Sequence, residues 1–181
     1  SMFTEVDPVL GPEMRSTGEV LGLSTDYGMA FNKAQEATKS ALPVEGTVLL
    51  TVSERERKPV LVEVATEFAR LGFNIRATKG TAKFLKENGI DANVIFKLGE
   101  GRPDIPDEIK NGNIQLVVNT PIGRQSQTDD SYIRKTAIKY GIPYITTLAA
   151  ARAAVRGIAA YRDSKGGAVK SLQEYHAAIT E

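Results

Sequence analysis

The sequence predicts an α/β protein built on a five-stranded parallel sheet with helices on both faces. Short β-branched apolar runs recur between stretches of helical periodicity. The two kinds of segment alternate along the chain, which is the pattern of βαβ units. The size suits one such domain: the chain has 181 residues, 41% hydrophobic and 25% charged. A chain of this length buries roughly 70% of its unfolded surface, so it needs no disulfide or metal to hold it.

Residues 1 to about 25 stand apart. Asp7-Pro8, Gly11-Pro12, Gly18 and Gly22 punctuate a stretch with no sustained period, which reads as loop and turn. Ser24-Thr25-Asp26 supplies N-cap chemistry for a helix over about 26–38, ended by Pro43 and Gly46. Thr47 to Val52 is a buried strand by length and composition. Pro59 sits at a first-turn position, and Val60, Leu61, Val64, Ala65, Phe68 and Leu71 follow at helical spacing up to Gly72. Phe73 to Thr78 is the second strand, a helix covers about 81–88, and Ala92 to Lys97 is the third strand. A short helix near 105–110 ends at Asn111-Gly112, and Gln115 to Thr120 is the fourth strand. Residues 123–130 read as polar loop, followed by a helix over about 130–140 and a fifth strand from Pro143 to Thr147. Leu148 to Tyr161 is an Ala-rich helix, and Leu172 to Ile179 a last one beyond Gly166-Gly167.

Composition narrows the function. Lys and Arg number 23 against 22 Asp and Glu, a net charge of +1. A nucleic-acid binder would be strongly basic, so the balance argues against one while leaving room for a small local anion site. With no cysteine, disulfides, zinc–thiolate sites and thiol catalysis are excluded, and a reducing, cytoplasmic compartment fits. No apolar run nears the ~20 residues of a membrane span, and no signal peptide opens the chain. Ser1-Met2 reads as a tag remnant, so the chain is expected to be a piece of a larger protein.

Open parallel sheets bind ligands beyond the carboxyl ends of their strands. Four such ends here are polar: Ser53 to Lys58, Thr78 to Thr81, Lys97, and Asn119-Thr120. Thr78-Lys79-Gly80-Thr81 joins a strand to a helix start, where backbone N–H groups and the helix dipole favour an anion. Gly80 permits close approach, and two hydroxyls can donate to phosphate oxygens. The same four residues are also a good turn and N-cap with nothing bound. The motif is neither a Walker loop nor a Gly-x-Gly-x-x-Gly fingerprint. Arg55, Arg57 and Lys58 crowd the loop after the first strand, and Lys58, next to the helix start, is taken as the residue that reaches a phosphate. Lys97 closes the third strand toward the same rim. One anionic ligand in the crevice explains these rims jointly. Catalytic equipment is thin. His176 is the single histidine and lies far from the rims, and Asp129 and Asp130 read as acids favoured at a helix N-terminus. No metal site is expected.

Residues 6–22, from Val6-Asp7-Pro8 to Val20-Leu21-Gly22, resemble the sequence that closes the second synthetase unit of carbamoyl phosphate synthase large chains. The remainder is similar to the C-terminal regulatory domain of those chains, through Thr78-Lys79-Gly80-Thr81, Lys97 to Arg102-Pro103, Asn111-Gly112 and Asn119-Thr120 to Gly123-Arg124. The later motifs are shared with methylglyoxal synthases. The resemblance implies a Rossmann-like three-layer sandwich of the methylglyoxal-synthase-like type over 26–181, with 1–25 the tail of the preceding synthetase unit. It implies an allosteric domain that is not itself an enzyme, sensing UMP, IMP and ornithine. The parent enzyme would be a ligase using ATP, Mg²⁺ and K⁺ to make carbamoyl phosphate for pyrimidine and arginine synthesis. This piece would need no cofactor. Its partners would be the synthetase units and, indirectly, the glutaminase small subunit, with self-association left open.

By position, the resemblance assigns Lys58, Thr78, Lys79, Gly80, Thr81 and Lys97 to the effector phosphate. Asn119 and Thr120 resemble the nearby nucleoside contacts, Gly123 and Arg124 belong to the same effector site, and Thr146 resembles a position that touches ornithine. Pro121 stands where many relatives carry a second hydroxyl, and Lys79 where histidine is common. The enzyme alternative is methylglyoxal synthase, acting on dihydroxyacetone phosphate. Those enzymes place an Asp before the Pro after the fourth strand and a His-x-x-Asp soon afterwards. The corresponding residues are Thr120-Pro121 and Ser126-Gln127-Thr128-Asp129, which lack one carboxylate and the histidine needed for proton abstraction.

Overall fold

The computed structural model describes residues 21–24, 27–37, 41–120, 127–163 and 173. The chain runs α1 (Tyr27–Ala37), β1 (Thr47–Val52), a 3₁₀ turn (Glu54–Glu56), α2 (Pro59–Arg70), β2 (Asn74–Thr78), α3 (Lys79–Glu87) and β3 (Asn93–Ile95). It continues through α4 (Ile105–Lys110), β4 (Leu116–Thr120), α5 (Gln127–Lys139), β5 (Tyr144–Ile145) and α6 (Leu148–Asp163). All strands are parallel, in the order β3-β2-β1-β4-β5. The chain thus spreads from β1 to β3 on one side and returns to β4 on the other. The order reverses between β1 and β4, and that switch point opens a crevice at the carboxyl ends.

The alternation of side chains explains the layers. Val48, Leu50 and Val52 of β1 join Leu61, Val64 and Phe68 of α2, Leu85 of α3 and Ala154 and Ile158 of α6 in one core. Leu49 and Val117 face the other way, against Ile105 and Ile109 of α4 and Ile133 and Ala137 of α5. A sheet covered on both sides needs continuous apolar strands, and β1 and β4 are buried along nearly their whole length. Phe68 packs edge-on to Phe73 with ring centroids 5.3 Å apart, a geometry worth about 0.5–1.5 kcal/mol beyond area burial. Helix α1 lies on α6, where Gly28 and Gly157 bring the backbones together. A Cβ on Gly157 would run into the Gly28 carbonyl oxygen.

Four elements differ from the sequence expectation. The edge strands are shorter: β3 holds three residues and β5 two. Phe96 leaves the sheet to bridge Asp104, so β3 stops there. Helix α3 begins at Lys79 rather than 81, and α5 at Gln127, inside the stretch read as loop. The predicted loop over most of 1–25 and nearly all of the last helix lie outside the described residues, as does His176. Asp129 and Asp130 fall in the first turns of α5.

Candidate functional site

A pocket of about 150 Å³ opens at the carboxyl ends of β1, β2 and β4. Its floor is a polar shelf. Thr51 of β1 is paired in register with Asn119 of β4, and Thr51 Oγ1 lies 3.5 Å from Thr78 Oγ1 of β2. All three residues are buried. Asn119 Nδ2 donates to the Tyr144 hydroxyl at 2.7 Å, which holds the amide against β5. Thr120 Oγ1 accepts the Ser53 N–H at 3.0 Å, tying the loop after β1 to the end of β4. A hydroxyl that accepts one bond still has its proton to donate.

The walls are cationic. The 3₁₀ turn folds the chain back so that Arg57 Nε donates to the Val52 carbonyl at 3.2 Å. Its guanidinium then lies over Gly80, where a Cβ would come within 2.5 Å of it. A Cβ there would push the flexible end of Arg57 aside. Lys79 also lines the pocket, and its Nζ sits 5.6 Å from the centroid of Phe96, a cation–π contact just beyond β3. Lys97 and Glu100 close the third side. They form a tight turn: Glu100 N–H donates to Lys97 O, and Lys97 N–H donates to Glu100 Oε2, both at 3.0 Å. Leu98 N–H donates to the Tyr132 hydroxyl at 3.1 Å, anchoring the turn to α5.

Helix α3 begins in this pocket. Its N-cap residue Thr78 makes no side-chain capping bond, so the first-turn amides keep their unmet donor capacity. Helix α4 is the contrast. Asp104 accepts the Asp107 N–H at 3.0 Å, and Asp107 accepts the Asp104 N–H at 3.1 Å, a complete capping box. The Asp104 N–H, followed by the Arg102 guanidinium, holds the Asp107 carboxyl below the usual aspartate range. Arg102 in turn is raised by its bond to Asp107.

Residues 60–146 match the family model of the MGS-like domain. This chain carries an MGS-like domain. It is 50% identical over 171 residues to a carbamoyl phosphate synthase large chain of Archaeoglobus fulgidus and 52% over 174 residues to that of Gemmatimonas aurantiaca. These alignments cover 94% and 96% of the chain but 16% of each relative. A C-terminal section of the large chain from Aquifex aeolicus is 46% identical over 178 residues, covering 96% of this chain and 33% of the relative. The chain thus spans well under half the length of these relatives. It is similar to one part of carbamoyl phosphate synthase large chains, a C-terminal section among them. A methylglyoxal synthase from Elizabethkingia anophelis NUHP1 shares the fold, with a TM-score of 0.52 and 19% identity over 63% of this chain and 79% of that one.

The MGS-like domain brings Thr78, Lys79, Gly80, Lys97, Asn119 and Thr120 together in the pocket lining. Three expected residues are placed elsewhere. Lys58 lines a separate depression with Tyr27, Val60, Leu148, Arg152 and Arg156, and Arg57 occupies the pocket instead. The 3₁₀ turn causes this: it leaves Lys58 extended as the N-cap of α2 and turns its neighbour inward. Thr81 is fully buried beneath the pocket. Its Oγ1 accepts the Val52 N–H at 3.0 Å and donates to the Val52 carbonyl at 3.2 Å. Its single proton is committed, so it staples α3 to β1 rather than facing a ligand. Thr146 is exposed just beyond β5 and lines neither depression. Gly123 and Arg124 lie outside the described residues. Sequence reasoning placed Ser53 and Arg57 at the rim without assigning either to the ligand, and it missed Thr51 and Glu100 as lining residues.

Proposed function

We propose that this domain is an allosteric effector-binding module of a carbamoyl phosphate synthase large chain, and that its pocket receives the phosphate of a nucleotide such as UMP or IMP. The observation that carries the reading is the convergence of Arg57, Lys79 and Lys97 on one hydroxyl-lined pocket. None of the three forms an ion pair with another described residue. Guanidinium and ammonium groups that outnumber the one carboxylate in the lining, Glu100, and form no ion pair with it favour an anion, and charge-assisted bonds to phosphate are the strong kind. The uncapped start of α3 adds backbone donors aimed the same way.

In this reading Arg57 and Lys97 grip phosphate oxygens from opposite walls, and Thr78 donates from the floor. Asn119 and Thr120 meet the ribose. Thr146 serves ornithine at the junction with the synthetase unit, which its distance from the pocket lining suits. ATP, Mg²⁺ and K⁺ belong to the synthetase units of the parent, together with the chemistry of carbamoyl phosphate synthesis. The domain itself only biases those units.

A thermal-shift panel of UMP, IMP, UTP, ornithine and N-acetylglutamate tests this. A ligand at 100 times its Kd stabilises the fold by about 2.7 kcal/mol. A rise in Tm with at least one nucleotide, abolished in Arg57→Ala, is the expected result. No shift with any nucleotide would overturn the reading. Methylglyoxal release from dihydroxyacetone phosphate would make the domain an enzyme instead.

A further inference from the structure

We propose that Glu100 limits the charge of the anion this pocket accepts, so that a single phosphate group is taken in preference to a di- or triphosphate; this rests on the pocket being the anion site argued above. Glu100 is a carboxylate in the lining of a pocket whose other charged members are all cations. No described cation pairs with it. Its position is not free to drift, because Oε2 accepts the Lys97 N–H at 3.0 Å and its own N–H is held by the Lys97 carbonyl.

The charges count out simply. Arg57, Lys79 and Lys97 supply three positive charges and Glu100 one negative, a net of +2. A phosphomonoester carries about −1.5 to −2 at neutral pH and is matched. Each further phosphoryl group adds charge with no new cation to meet it, in a pocket of about 150 Å³. The excess is pressed against Glu100.

A turn alone would not require an acid here. A glutamine offers the same acceptor oxygen to the Lys97 N–H. The carboxylate therefore spends repulsion in an anion pocket that the turn does not need, and discrimination against over-charged ligands is what that repulsion supplies. Such a device raises specificity through a penalty on the wrong ligand rather than a better grip on the right one.

The test compares inorganic phosphate with pyrophosphate, free of divalent cations, by calorimetry at low salt. The proteins are the unaltered chain, Glu100→Gln and Glu100→Ala. The unaltered chain should bind phosphate more tightly than pyrophosphate. Glu100→Gln keeps the acceptor and removes the charge, so it should narrow that preference by about threefold per extra ligand charge, as expected for charges several ångströms apart in a wet pocket. The gain should shrink as salt is added. Glu100→Ala loses the turn as well and should weaken both anions. An unchanged preference in Glu100→Gln, with phosphate still bound, would leave Glu100 a turn staple and overturn this inference alone. Failure of the unaltered chain to bind either anion would overturn the pocket reading, and this inference with it.

Discussion

Arg57 and Lys58 are neighbours in sequence and serve two different cationic regions. Arg57 enters the pocket at the carboxyl ends of the strands, while Lys58 joins Arg152 and Arg156 over α2 and α6. The second region is the larger, at about 510 Å³. Its arginines are already engaged: Glu63 Oε1 accepts from Arg152 Nε at 2.8 Å and from an Arg156 terminal nitrogen at 3.2 Å. The pocket cations have no such partner. The number of cations is the same in both, so charge count does not make an anion site. Convergence and the lack of an ion pair among the described residues do. The helix starts repeat the lesson: α4 supplies its own carboxylates to its first turn, and α3 supplies none.

Exchanging the two neighbours breaks the comparison most directly. Arg57→Ala should weaken phosphate binding about tenfold or more, since a charge-assisted bond is worth about 1.5–3 kcal/mol. Lys58→Ala should leave it unchanged. Calorimetry with inorganic phosphate on both variants measures the contrast, and equal losses would mean that the two regions act as one basic field.

Gly80→Ala is a subtler break. The added Cβ displaces the Arg57 guanidinium, so binding should fall several-fold. The substitution also places alanine in the first turn of a helix, which favours the fold by up to about 1 kcal/mol. Affinity down with Tm level or up is the expected signature. A drop in both would show that the backbone, rather than Arg57, had yielded.

Much of this frame was legible in the sequence. The buried strands β1 and β4 could be read to within a residue, because a fully covered parallel strand must be a continuous apolar run. The edge strands were over-read. Val94 is 51% exposed, and a strand paired on one side is ended by wherever its neighbour turns away, here by Phe96 reaching Asp104. The rim was legible as a set of strand ends, but side-chain direction within it was not. Arg57 and Lys58 follow a 3₁₀ turn that leaves no clear pattern in the sequence and sends the two neighbours to different sides. Thr81 looked like a ligand donor because nothing in a sequence reveals that Val52 will occupy both sides of its hydroxyl.

Neutralising Glu63 should sharpen the comparison from the other side. Glu63→Gln keeps a side chain of the same shape and frees Arg152 and Arg156 of their counter-charge. If an internal carboxylate is what silences the second region, this variant should gain weak phosphate binding there. The gain should persist when Arg57→Ala is added. Stability should change by no more than about 1 kcal/mol, because the pair is partly exposed. No gain would mean that convergence matters and counter-charge does not.

The smallest effect concerns the helix that carries its own anions. Asp107 is held below the usual aspartate range, first by the Asp104 N–H and then by Arg102. A carboxyl whose folded pKa is depressed stabilises the fold while ionised in both states. Its contribution is complete above the unfolded value of about 3.9 and fades as pH falls through that value toward the folded one. Asp107→Asn removes this dependence and keeps an acceptor for the Asp104 N–H. The Tm difference between the unaltered chain and Asp107→Asn should therefore be constant from neutral pH down to about 5 and shrink below it. Salt should reduce it, since Arg102 is largely exposed. The α3 start has no such built-in carboxylate, so phosphate added to the unaltered chain should raise Tm above pH 5 without changing this acid-side loss. If phosphate instead protected the protein against acid as Asp107 does, the two helix starts would be sharing one anion, and the contrast between them would fail.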